Sequence, residues 1–265
     1  MSCPFSRIKT ADDTKSIGEY PSIPANVTNR FLKTGFLNGI LTLSFRNATR
    51  FSRERFVTMI ISSLAGAIGN GVSAFDQFVL SLFHGIAVRD SGALAELSSF
   101  LGLATEKGIL FLFLGSALLP FKKTREAGVM LIGAVLVSAG IAGALKELVA
   151  RPRPFQAVGL FADWWRLAGS SPESGYSFPS GHATVSMAAA AALFFAGHKR
   201  VGLVALLGAL AIGASRCCLF VHYPSDILAG FAVGFLGALA ARVAVSRFTR
   251  RLKRRGSVSR GRVSR

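Results

Sequence analysis

The sequence predicts an all-α membrane protein: a polytopic bundle of six transmembrane helices with interfacial amphipathic helices beside them. Three observations lead there. The chain is 51% hydrophobic and only 17% charged, with a mean hydropathy of +0.47. Its apolar residues are gathered into runs that a soluble domain of 265 residues rarely carries. Its cations fall in clusters between alternate runs rather than over a whole surface.

The runs are residues 56–72, 108–121, 128–149, 183–197, 201–220 and 227–245. A span needs about 20 apolar residues. The second and fourth runs are short, and each borrows from its flanks: residues 105–107 for one, 178–182 for the other. The segment FDQFVLSLFHGIAVRDSGALAELSSFLGLA (75–104) is half apolar at helical spacing and is expected to form interfacial helices. Trp164 and Trp165 suit a headgroup belt. FLKTGFLNGILTLSF (31–45) reads as a membrane-surface helix. The first forty-odd residues are too polar for a signal peptide. The expected organisation is an N-terminal cytoplasmic arm (1–52), one membrane domain (53–246) and a basic tail (247–265).

Orientation follows from the cations. Arg46, Arg50, Arg53 and Arg55 precede the first run, and Lys122, Lys123 and Arg125 separate the second from the third. Lys199 and Arg200 lie between the fourth and fifth, and the tail follows the sixth. Six crossings put all four clusters on one side, which the positive-inside rule makes cytoplasmic. The expectation is a multi-pass protein of the plasma (inner) membrane with both termini in the cytoplasm. Residues 74–103, 150–177 and 221–226 then lie on the outer face.

The net charge of +18 suggests nucleic acid only if it is spread over a soluble surface. Here it is concentrated in RFTRRLKRRGSVSRGRVSR, which contains no acid and no base-reading motif. The partner expected for that tail is anionic lipid, not nucleic acid. Three cysteines make no disulfide framework. Cys217 and Cys218, adjacent in an apolar run, read as small packing residues.

Charged and titratable residues near a membrane span are costly, so their placing carries information. Lys146 and Glu147 lie near the outer end of the third run, followed by Arg151 and Arg153 in KELVARPRPF. His182 opens the fourth run, Arg216 closes the fifth, and His222 and Asp226 bracket the entry to the sixth. All fall at one expected depth. Any one alone reads as an interfacial anchor. Together they describe a phosphate site: Lys146, Arg153 and Arg216 supply positive charge, and the arginine forks suit phosphoryl oxygens.

Lys146 and Arg153 are two helical turns apart, facing the same way until Pro152 and Pro154 end the helix. Ser180, Gly181 and His182 form the first turn of the fourth run, whose free N–H groups point at an anion, with Gly181 allowing close approach. Pro224 fits a first helical position. From the third, the Asp226 carboxylate reaches back toward His222 and orients it as a nucleophile. His182, with no carboxylate nearby in sequence, suits proton donation to a leaving oxygen. Metal chemistry is not expected. Only four histidines exist, two of them (His84 and His198) outside the cluster, and the cations repel a divalent ion.

Lys146-x6-Arg153-Pro154, Pro179-Ser180-Gly181-His182 and Ser215-Arg216-x5-His222-x3-Asp226 resemble all three signature motifs of the type 2 phosphatidic acid phosphatase (PAP2) superfamily. The resemblance covers residues 56–245. It implies hydrolysis of a lipid phosphate ester or anhydride with no metal and no other cofactor. It further implies attack by His222, oriented by Asp226, to give a phosphohistidine. His182 protonates the leaving group and then activates water, while Lys146, Arg153, Ser180, Gly181 and Arg216 hold the phosphoryl oxygens. RPRPF and SFPSGHAT resemble bacterial polyprenyl-diphosphate phosphatases, with an undecaprenyl diphosphate substrate on the outer face as the leading expectation. Phosphatidate or phosphatidylglycerophosphate hydrolysis and a lipid phosphotransferase are alternatives within the family. A lipid-binding scaffold or transporter is the non-enzyme alternative. Arg151 is expected to hold a second phosphate if the Pro152 bend turns it into the cleft.

Overall fold

The computed structural model describes residues 53–90 and 92–263, every regular element of which is helical. The arm 1–52, with the surface helix expected over 31–45, lies outside the described residues. The chain divides into two compact units, Met1–Ser63 and Leu64–Arg265. Within the first, the described residues are the opening turns of helix α1.

Helix α1 spans Arg53–Ala87, α2 Ala93–Ala104, α3 Ile109–Leu118 and α4 Arg125–Val149. Two short helices follow, α5 (Pro154–Ala157) and α6 (Gly159–Leu167). Then come α7 (Gly181–Phe195), α8 (Lys199–Cys218) and α9 (Pro224–Val263). Four are long and apolar enough to cross a bilayer among the described residues, five if α2 and α3, bent by 54° at Gly108, make one broken span. The 15-residue α7 is apolar but shorter than a full span.

Three boundaries differ from the sequence expectation. The first helix does not end near residue 72 but runs on to Ala87, because Asp76, which interrupts the apolar run, is buried against Arg151 and Ser225 and leaves the helix unbroken. Residues 93–104, expected at the interface, form the single helix α2, which makes with α3 a bent pair that is by length and composition a broken span or a re-entrant loop. The last helix continues through the basic tail to Val263. Trp164 and Trp165 are half-buried. Trp164 stacks on His84 with ring centroids 4.3 Å apart, and Trp165 stacks on Phe155 at 4.9 Å.

Helix α7 is central, packing against α4, α8 and α9. In a bilayer, apolar burial between helices gains little over contact with lipid tails, so close backbone approach and dense packing hold helices together. The sequence supplies small residues for this. Ala188, Ala189, Ala191 and Ala192 of α7 meet Ala134 of α4 and Ala238 and Ala241 of α9 in one buried cluster. Large side chains such as Phe113, Leu148 and Val204 point outward instead. Gly230 makes the α7–α9 approach possible at the site end: a Cβ there would lie 2.7 Å from the Ser180 carbonyl oxygen. The Ser180 N–H donates to the Asp226 carbonyl at 3.1 Å, so the starts of α7 and α9 are tied together.

Candidate active site

The C-terminal ends of α2, α4 and α8, the N-terminal ends of α7 and α9, and the loop 168–180 meet at one end of the helices. Between them lies a cavity of about 830 Å³, whose polar lining includes Lys146, Arg153, Glu173, His182, Arg216 and His222. Gly181 also lines it, and a Cβ there would meet nothing within 4 Å, so the first turn of α7 opens onto free space. Ser180 lies beneath that turn. It is the N-cap of α7, its Oγ accepting from the Ala183 N–H at 3.4 Å, and it is wholly buried.

The sequence reasoning placed Lys146 and Arg153 on one helical face. The structure brings both to the cavity by another route. Helix α4 stops at Val149, Ala150 takes a left-handed conformation (φ 47°), and Arg153 is the extended N-cap of α5. The turn separates the two arginines of RPRP. Arg153 enters the cavity wall, and Arg151 points elsewhere.

Arg151 therefore does not fit the second-phosphate role. Its guanidinium donates to Asp226 Oδ1 at 2.6 Å, Asp76 Oδ2 at 2.7 Å and Ser225 Oγ at 2.8 Å, and lies 3.8 Å over the Tyr223 ring. Asp76 also accepts from the Ser225 N–H and Oγ. The pairing fixes one oxygen of Asp226.

The other Asp226 oxygen accepts from the Ser177 hydroxyl and from the Tyr223 N–H. Asp226 Oδ2 is 3.8 Å from His222 Nδ1, and Ser177 Oγ lies 3.4 Å from that same nitrogen, so Ser177 stands between carboxylate and imidazole. With its proton on Nδ1, facing Ser177 and Asp226, His222 presents an unprotonated Nε2 to the cavity, 3.4 Å from Arg153 Nη1. His222 is 1% exposed. Burial pushes its imidazole below its ordinary pKa, and the Arg153 charge adds to that against the pull of Asp226 and Glu173.

Arg216 is held by its own surroundings. It donates to the Ser98 carbonyl and to Ser215 Oγ, and Gly102 leaves it room, since a Cβ there would collide with the guanidinium. Sequence reasoning missed Glu173, Ser177, Asp76 and Gly102. Asp76 and Glu173 carried a signal: one is a lone acid in an apolar run, the other the only acid in the loop 168–180.

Glu173 faces all of the cavity's charge. Its carboxylate is 2.7 Å from Arg153 Nη1, 3.3 Å from Arg216 Nη1 and 3.8 Å from His222 Nε2. Burial alone would raise its pKa, but His222, Arg153, His182 and Arg216 hold it below the ordinary value. Glu173, His182 and His222 offer ligand atoms within 4.8 Å of one another, a spacing that suits a metal ion. Arg153 and Arg216 beside them oppose a cation, so the donor set fits an anion better. The arrangement can grip a tetrahedral anion between cations while a neutral imidazole nitrogen faces it.

Residues 127–250 match the PAP2 superfamily model. Among curated relatives, the chain is 31% identical over 117 residues to an undecaprenyl-diphosphatase of Sulfolobus acidocaldarius, covering 44% of this chain and 54% of that one. It is 35% identical over 144 residues to a lipid A 1-phosphatase of Rhizobium etli, covering 48% and 58%. The matches thus span about half the length of these relatives. A solved structure, the transmembrane PAP2 type phosphatidylglycerolphosphate phosphatase from Bacillus subtilis, superposes with a TM-score of 0.53 at 25% identity, covering 72% of this chain and 94% of that one. The protein is a membrane protein whose residues 127–250, carrying all three motifs and both histidines of the cavity, match the PAP2 superfamily.

Proposed function

We propose that this protein is an integral membrane lipid phosphatase that works through a phosphohistidine on His222. The observation that carries the reading is the His222 geometry: Nδ1 turned to Ser177 and Asp226, Nε2 turned to the cavity beside Arg153. Nε2 attacks phosphorus and the bond to the leaving oxygen breaks. His182 gives that oxygen a proton. The neutral His182 then takes a proton from water as it attacks the phosphohistidine, releasing inorganic phosphate and restoring both imidazoles. Lys146, Arg153, Arg216 and the first turn of α7 at Gly181 stabilise the charge that develops on the phosphoryl oxygens, and Ser180 supports that turn as its cap. Because these groups already supply the neutralising charge, the reaction is read as metal-independent.

Ala139, Ala142, Gly143 and Lys146 lie on one face of α4 and all line the cavity. This small apolar face gives a lipid tail a path that ends at a cation. The substrate favoured is a polyprenyl diphosphate such as undecaprenyl diphosphate, converted to the monophosphate. Support comes from the undecaprenyl-diphosphatase relative and from an outward-facing site, with both termini cytoplasmic, as the distribution of cations implies. Arg151 contributes nothing to that preference. In the same reading, 53–246 is the phosphatase domain and the tail from 247 lies against anionic lipid.

The test is phosphate release by the purified full chain from undecaprenyl diphosphate, phosphatidate, phosphatidylglycerophosphate and a lipid A 1-phosphate, with and without excess EDTA. The reading predicts chelator-resistant release, fastest from the diphosphate. Release that stops with EDTA and returns with magnesium contradicts the metal-independent step. Preference for another lipid contradicts the substrate assignment alone.

A further inference from the structure

Three cations line the cavity, and the same four-residue segment engages all of them. Lys146 Nζ donates to the Tyr176 carbonyl at 2.7 Å. Arg153 donates through Nε to the Gly175 carbonyl at 3.0 Å, through Nη2 to the Ser174 carbonyl at 2.9 Å, and through Nη1 to Glu173 at 2.7 Å. Arg216 Nη1 reaches the other Glu173 oxygen at 3.3 Å. The donors assigned to phosphoryl oxygens are therefore already occupied by oxygens of residues 173–176. The Glu173 carboxylate sits 3.8 Å from the nitrogen that attacks phosphorus. A phosphoryl group and this carboxylate need the same place.

We propose that Glu173 is a resident anion that sets the charge threshold for entry to the phosphate site. This rests on the proposed phosphate site. The segment is built to leave and return. Its ends are tied down, Ser170 Oγ donating to the Leu219 carbonyl at 2.9 Å and the Ser177 N–H to the Arg151 carbonyl at 2.8 Å. Between those anchors Ser171, Pro172, Ser174 and Gly175 are exposed, and Gly175 holds a left-handed conformation (φ 74°) that lets the chain turn beside Glu173.

The physical consequence is selection by charge. A bilayer presents this site with phosphodiester headgroups in great excess over any phosphomonoester. A diester brings one negative charge and two terminal oxygens, no more charge than the carboxylate it must displace. A terminal phosphate brings close to two charges and three oxygens, and gains by the exchange. The same displacement opposes every anion equally, so it does not alter their ranking. It moves the whole scale so that diesters fall below occupancy while terminal phosphates stay above it.

The experiment measures anion binding, not turnover, using full-length protein in detergent. Inorganic phosphate, orthovanadate and glycerophosphoglycerol (a soluble phosphodiester) are titrated against wild type, Glu173→Gln, Glu173→Ala and Glu173→Asp by thermal shift and calorimetry. Gln and Ala should each tighten phosphate and vanadate about tenfold or more and bring the diester into measurable binding. Asp, which keeps the charge, should stay nearer wild type. Using both neutral variants guards against a folding defect in either. Equal or weaker phosphate binding in Gln and Ala overturns the proposal while leaving the phosphate site standing. Phosphate binding absent from every form, wild type included, overturns the site reading and this proposal together.

Discussion

Arg151 and Arg153 are two residues apart and do opposite work. Arg151 is locked between two carboxylates that are almost wholly buried, Asp76 at 1% and Asp226 at 0% exposure. Arg153 is itself buried, but its partners are backbone carbonyls and a carboxylate that remains about a quarter exposed. The first network has no face on the cavity. The second opens onto it, and an incoming anion can replace its acceptors. Residue type alone does not distinguish structural from functional cations. What distinguishes them is whether the partner is able to leave.

Substitution sharpens that contrast. Arg153→Ala should lower turnover about 100-fold or more, the range seen when one donor to a developing oxyanion is removed. Arg151→Ala leaves Asp76 and Asp226 buried without their cation, and breaking a buried pair costs about 3–5 kcal/mol. Its melting temperature in detergent should fall well below that of Arg153→Ala. Equal melting losses in the two variants would erase the distinction. A smaller effect is expected from pH. Nucleophilic attack needs neutral His222, and burial holds its pKa below the ordinary 6.5. Protonation then sets in only at lower pH, so the acid limb of kcat/KM should fall below pH 6.5. An acid limb above pH 7 would contradict the buried imidazole.

The site's chemistry was legible wherever it lay at a helix end in a distinctive string. Lys146, Arg153, His182, Arg216 and His222 all reach the cavity, because alternating helices bring every second end to one level. Local geometry was less legible. A seven-residue spacing implied that Lys146 and Arg153 share a helical face up to Pro152 and Pro154, but the left-handed Ala150 ends the helix earlier. Whether Arg151 followed Arg153 depended on Asp76, 75 residues away in sequence. Asp76 also explains the misplaced end of α1: a charge in an apolar run reads as a boundary until its partner is known. Ser177 and Glu173 were hidden for a different reason. Both lie in a loop whose sequence carries no periodicity, and only the fold brings that loop over the cations.

The central claim is that Nε2 of His222 carries the phosphoryl group. Rapid acid-free quenching of wild type and His182→Ala during turnover, followed by mass spectrometry under alkaline conditions, tests it directly. The account predicts a phosphorylated peptide with the modification on His222, stable to base and lost in acid. It should be enriched in His182→Ala, where water is activated more slowly, and missing from an inactive His222→Ala. A label on another residue, or turnover that survives in His222→Ala, would contradict it.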